Sequence, residues 1–188
     1  MVVTKTINKS SIEHTFSQMK EPYTEIEIMK QVCRGQVPNM LKLLDYFEDD
    51  VNFYIVTKYF PQGDLHEYVV KKYENADMPE IVAKHILRQL VTGIKALHER
   101  NILHRDIKEA NVLVKKKGNK LRVWLADFGL STQLESRTAT RDVPIGTIDY
   151  MAPEMCKHEP YGLPIDIWAL GTLMYQLLTK STPFCSND

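Results

Sequence analysis

The chain has 188 residues, with 24 Lys and Arg against 24 Asp and Glu, so its formal charge is zero and no cationic surplus marks it as a polyanion binder. At 44% apolar and 26% charged it has the composition of a soluble globular domain, neither disordered nor fibrous, and it is long enough to bury a core. Residues 1–60 carry seven basic and eight acidic groups and residues 61–188 seventeen and sixteen, so neither part is a nucleic-acid-binding or membrane-binding tail.

In chain order, residues 2–7 alternate apolar and polar side chains as a strand does, with no continuous apolar stretch of the kind a signal peptide needs. Pro22 followed by Glu25, Ile26, Met29 and Val32 predicts a short helix with proline in its first turn. Residues 41–47 and 51–59 are β-rich and flank the acidic turn Glu48-Asp49-Asp50, which predicts a hairpin. After Gly63 the character turns helical. Asp77 and Pro79 open a segment in which Val82, Ile86, Leu90, Ile94 and Leu97 recur at helical spacing, ending near residues 98–101. Residues 112–114 and 121–126 are β-type runs around Lys-Lys-Lys-Gly-Asn-Lys, read as a solvated hairpin tip in preference to a phosphate site. The longest apolar stretch, residues 167–178, contains Gly171, Thr172 and Gln176 and is too short to span a bilayer; a buried core helix is expected. The predicted fold class is α+β, a small β-rich part before a larger helical part. Cys33, Cys156 and Cys185 are widely spaced and form no metal or disulfide pattern, which points to a reducing, intracellular setting, the cytoplasm first and the nucleus also open.

The chemistry-bearing residues are concentrated in the second half. His104-Arg105-Asp106-Ile107-Lys108-Glu109-Ala110-Asn111 is followed sixteen residues later by Asp127-Phe128-Gly129, then by Ala152-Pro153-Glu154. Any one of these tripeptides is weak evidence; their order and spacing together are strong. On these residues the whole chain resembles the eukaryotic protein kinase family, with Val2-Val3-Thr4-Lys5 read as the β3 lysine motif and Asp166 as the later family aspartate.

The resemblance implies a two-lobed fold, with residues 1–57 the remnant of an amino lobe, 58–63 a hinge and 64–188 an incomplete carboxy lobe. It implies ATP and Mg2+ as cofactors and a protein with a Ser or Thr acceptor as substrate, with no nucleic acid and no membrane. Transfer of a γ-phosphoryl group needs an acceptor hydroxyl held in line, cations on the phosphates and a carboxylate near the departing proton. Asp106 takes the last role. Asn111 and Asp127 match the metal-holding pair, and Lys108 matches the lysine that neutralises the transferring group in the serine/threonine class. Lys5 resembles the lysine on the α- and β-phosphates and Glu25 its partner. Val3 stands where the family usually has alanine above the adenine. Thr57, Lys58, Tyr59 and Phe60 match the hinge along the adenine edge, with Thr57 controlling the pocket behind. Leu113 matches the apolar floor and is equally readable as core, and Asp64 is placed to reach ribose or substrate.

Thr147, in Gly146-Thr147-Ile148-Asp149-Tyr150, resembles the residue that contacts the catalytic aspartate and lysine. The segment between Asp127 and Glu154 departs from the family pattern, with Val143 where a phosphorylatable residue is common. Arg105 is the arginine that receives an activation-segment phosphate in many relatives, with Thr138 or Thr140 as candidate donors of it. The family's glycine-rich loop, later helices and arginine partner for Glu154 have no counterpart in the sequence, so a chain shortened at both ends and inactive by itself is expected. Two alternatives to a serine/threonine kinase stay open: a non-catalytic kinase-like binding module, and an ATP-using enzyme of similar fold that acts on small molecules or lipids. The substrate's own sequence is not readable; Ala110, where many kinases preferring basic sites have glutamate, argues against an arginine preference.

Overall fold

The computed structural model describes residues 1–10, 22–118 and 120–184. Strand β1 (Val2–Asn8) pairs antiparallel with β3 (Asn52–Lys58), which also pairs with β2 (Leu43–Glu48), giving a three-stranded sheet of order β1-β3-β2. The β2–β3 turn is made by Asp49, whose carboxylate accepts from the amides of Val51 and Asn52 at 2.8 and 2.7 Å; a short acidic side chain can close a turn in this way. Phe53, Ile55 and Thr57 alternate inward along β3, where α1 (Pro22–Arg34) covers them with Ile26, Met29 and Val32.

The remaining chain is mainly helical. Helix α2 (Leu65–Lys72) is capped by Asp64, whose side chain accepts from the Glu67 amide at 2.9 Å. Helix α3 (Glu80–His98) buries Ala83, Ile86, Leu90, Ile94 and Leu97 on one stripe, as its spacing requires. Two short strands, β4 (Ile102–Leu103) and β7 (Thr132–Gln133), pair across the loop region. Between them β5 (Val112–Lys117) and β6 (Lys120–Leu125) form the expected hairpin; Asn119 of its tip lies outside the described residues, as does Cys185. Helices α4 (Pro153–Cys156) and α5 (Pro164–Thr179) complete the α+β architecture.

The expectation for α5 needs correction. Leu170, Leu173 and Leu177 are fully covered by packing on α3, yet Ile167 and Tyr175 remain 54% and 45% exposed. The helix is therefore buried on one side only, which α3 covers together with a second cluster in which Ile165 meets Leu103, Met155 and Tyr161. None of the helices in the described residues is long and apolar enough to cross a membrane. Side chains from α1, α3, β6 and α5 share one core, which holds the sheet against the helices.

Candidate active site

The register of β1 on β3 sets Val3 opposite Thr57 and Lys5 opposite Ile55, so all four project from one face of the sheet. From that face the Lys5 ammonium reaches Glu25 on α1, at 2.8 and 2.9 Å to its two oxygens, and Asp127 Oδ1 at 2.9 Å. Burial works against the lysine's charge, but Glu25 and Asp127 outweigh it and hold the ammonium above the ordinary lysine range. A cavity of about 180 Å³ lies here, lined by Lys5, Glu25, Met29, Ile55, Thr57 and Asp127 among others, with Thr57 on its wall.

The segment 58–63 runs from the end of β3 to α2. Lys58 and Tyr59 are exposed, while Phe60 turns its ring into the core, 5.0 Å from that of Trp124. Gly63, at φ +68°, returns the chain so that its carbonyl accepts from the Val114 amide at 3.1 Å, and Asp64 bridges to Leu113. Asp64, Leu113 and the 58–63 segment are thereby brought together. Val3, opposite Thr57 on β1, is half exposed.

The loop carrying Asp106 has no strand or helix of its own, and its shape is imposed from α5. Asp166, completely buried, accepts from the backbone amides of His104 and Arg105 at 3.0 Å each and meets His98 Nε2 at 2.8 Å. This fixes Arg105 at φ +68°, a left-handed conformation that costs energy outside glycine. His104 is buried and its pKa is pushed down by desolvation. Its two nitrogens face Ala126 O, at 3.1 Å, and the Asp106 amide, at 3.4 Å, a pair of contacts that suits a neutral ring protonated on Nε2.

Asp106 is the hub of the loop. Thr147 donates to its Oδ1 at 2.7 Å, Asn111 Nδ2 to its Oδ2 at 2.7 Å, and the Lys108 ammonium stands 3.0 Å from Oδ2 while also donating to Thr147 Oγ1 at 2.7 Å. Burial alone raises the Asp106 pKa, but these partners reverse it and keep the carboxyl below its ordinary range. Asn111 ends the 3-10 turn Glu109–Asn111 before β5, and Asp127 follows β6. The hairpin closes them together, with the Ala126 amide donating to Asn111 O at 2.8 Å. Asp127 is also left-handed, at φ +59°.

Asn111 and Asp127 supply hard oxygen donors of the type Mg2+ takes, so these two residue types fit that ion. Within the described residues, no group of three or more His, Cys, Asp or Glu could hold a metal.

Among the described residues, Arg105 makes no hydrogen bond with Thr138 or Thr140. Its guanidinium donates to Leu130 O at 2.6 Å and to the Tyr161 hydroxyl at 3.3 Å, while Tyr161 donates to Val143 O at 2.5 Å. The hydroxyl of Thr138 meets Ser136, and the carbonyl of Thr140 accepts from Arg141. Sequence reasoning passed over Tyr161, Gly146 and Glu109. Glu109 is buried, its pKa raised chiefly by desolvation, and it stands 3.1 Å from His66. Only an acidic residue in an otherwise polar loop signalled it.

The chain matches the protein kinase domain family over residues 1–188. It is 43% identical to serine/threonine-protein kinase PSK1 of Saccharomyces cerevisiae across 88% of this chain and 12% of that protein, and 41% identical to PSK2 of the same yeast across 88% of this chain and 15% of that protein. Calcium/calmodulin-dependent protein kinase type I of Schizosaccharomyces pombe is 36% identical across 98% of this chain and 53% of that protein. The chain thus spans about half, or much less, of the length of these relatives.

Proposed function

Because the chain belongs to the protein kinase family, we propose that the polypeptide carrying it transfers the γ-phosphoryl group of ATP to a serine or threonine hydroxyl of a protein. In this reading residues 1–57 and 64–188 act as two lobes about a hinge at 58–63. The names of the two budding-yeast relatives support the serine/threonine class. The observation that carries the reading is the Asp106–Lys108–Thr147 triangle, with all three contacts between 2.7 and 3.0 Å.

Each residue then has a physical task. Lys5, oriented by Glu25, meets the α- and β-phosphates, and Val3, Leu113 and the 58–63 backbone enclose the base. Asn111 and Asp127 would hold Mg2+, which supplies neutralisation of phosphate charge. Asp106 accepts a hydrogen bond from the acceptor hydroxyl. A carboxylate held below its ordinary range is a weak base, so it works first by alignment and takes the proton as the new O–P bond acidifies the hydroxyl. Lys108 offsets charge on the transferring group, and Thr147 keeps Lys108 and Asp106 at fixed separation.

The test uses the longest natural polypeptide carrying this sequence, with Mg-ATP and matched peptides whose acceptor is Ser, Thr or Tyr. Magnesium-dependent phosphate transfer to Ser or Thr, and none to Tyr, is expected. Nucleotide binding without transfer would replace this reading with a binding module, and transfer to a small-molecule or lipid hydroxyl would replace the substrate class.

A further inference from the structure

The β5–β6 hairpin carries a charged face that the catalytic-type residues do not use. Residues 112–125 include Lys115, Lys116, Lys117, Lys120 and Arg122 and not one Asp or Glu. The register sets Lys115 opposite Arg122 and Lys117 opposite Lys120. Directly opposed residues project from the same side of a sheet, where like charges repel and reduce stability. Among the described residues, no carboxylate pairs with any of these five cations or with Lys42.

Beside this face opens a cleft of about 690 Å³ between residues 36–42, α3 and β6. Lys42, Lys120 and Arg122 line it, no carboxylate does, and the buried side chains of Val37, Met40 and Leu121 give it an apolar floor. Its walls are fixed by hydrogen bonds along the outer edge of β6. Val123 N donates to Gln89 Oε1 at 3.2 Å, Asn39 Nδ2 donates to Val123 O at 3.0 Å, and His85 Nε2 meets Leu121 O at 2.9 Å. A site already held in shape loses little ordering entropy on binding.

We infer that this cleft and the adjoining lysine face dock an acidic segment of a partner protein, its carboxylates on Lys42, Lys120 and Arg122 and an apolar side chain over Met40 and Leu121. Charge complementarity selects the partner's sign, and the apolar floor selects a peptide over a nucleic-acid backbone. A six-residue strand extends roughly 20 Å. The cationic tip of the hairpin therefore lies about that far from its catalytic end, a gap that an extended peptide of about six residues bridges.

The test is fluorescence anisotropy on the full chain with a labelled Glu-rich peptide carrying one Leu, its Gln-for-Glu counterpart, a single-stranded oligonucleotide and anionic phospholipid vesicles. The parent should bind the Glu peptide in preference to the other three, more weakly as salt rises. Lys120→Gln with Arg122→Gln should weaken binding about tenfold and the double change to Glu further. Lys42→Glu, on a separate segment, should weaken it independently, and no variant should unfold at a lower temperature than the parent, since changing Lys120 and Arg122 relieves cross-strand repulsion. Undiminished binding to the folded charge-reversed variants, or tighter binding of the oligonucleotide or vesicles, would overturn the inference. Binding is read without nucleotide or phosphate transfer, so its failure would leave the proposed chemistry standing.

Discussion

Thr147 and Asp106, 41 residues apart, share a 2.7 Å hydrogen bond in which the threonine hydroxyl donates to Oδ1 while accepting from Lys108. One hydroxyl therefore sets the spacing between the carboxylate and the ammonium. Thr147→Val keeps the shape and removes both contacts. It should lower kcat by about ten- to a hundredfold with KM for ATP little changed, and Thr147→Ser should restore most of the loss. Steady-state kinetics at saturating peptide checks this.

Glu25 is the only partner of Lys5 supplied by α1, and it contacts the ammonium through both oxygens. Glu25→Gln should raise KM for ATP and lower kcat/KM by up to about a hundredfold, because Lys5 would keep only a neutral amide acceptor on α1 and be drawn toward the charged Asp127. Initial rates over a range of ATP concentration decide the matter.

Gly146 sits at φ +125°, and a side chain there would place its Cβ 2.4 Å from Arg105 O. The chain must pass this close for Thr147 to reach Asp106. Gly146→Ala should cost about 1–3 kcal/mol of stability through backbone strain and displacement of the catalytic loop. Denaturant unfolding should show the loss, accompanied by a fall in kcat.

His104 is neutral in the fold because burial lowers its pKa, whereas in the unfolded chain it titrates near its ordinary value. Below a pH of about 6.5 the unfolded state therefore binds more protons than the folded state, so this residue makes stability fall as pH falls, and contributes no slope above that value. One such group accounts for at most about 1.4 kcal/mol per pH unit. Urea unfolding between pH 5 and 8 should show a shallower acid-side decline in His104→Gln than in the parent.

The elements were legible where local pattern decides them. The apolar stripe of α3, the Asp49 turn and the hairpin around Gly118 depend on residues close in sequence. Side-chain partners across long separations were not readable from spacing; Glu25 for Lys5, and Thr147 for Asp106 and Lys108, were expected through the family resemblance alone. Nothing local indicates that Asp166 braces His104 and Arg105, or that Arg105 bonds Leu130 and Tyr161. The apolar run in α5 likewise gives composition without direction. Only the packing of α3 against it decides that Leu173 is covered and Ile167 is exposed. For the site, the sequence motifs supplied the residue types, and the fold supplied the distances among them.

The proposed separation of roles, Asp106 toward the acceptor hydroxyl and Asp127 toward the metal, is tested most directly by measuring Mg-ATP affinity and kcat side by side in Asp106→Asn and Asp127→Ala. Asp106→Asn should reduce kcat by about a thousandfold or more while nucleotide affinity stays within a few-fold of the parent. Asp127→Ala should abolish the magnesium dependence of ATP binding. Equal loss of Mg-ATP affinity in the two variants, or a parent whose ATP binding is insensitive to magnesium, would contradict the account.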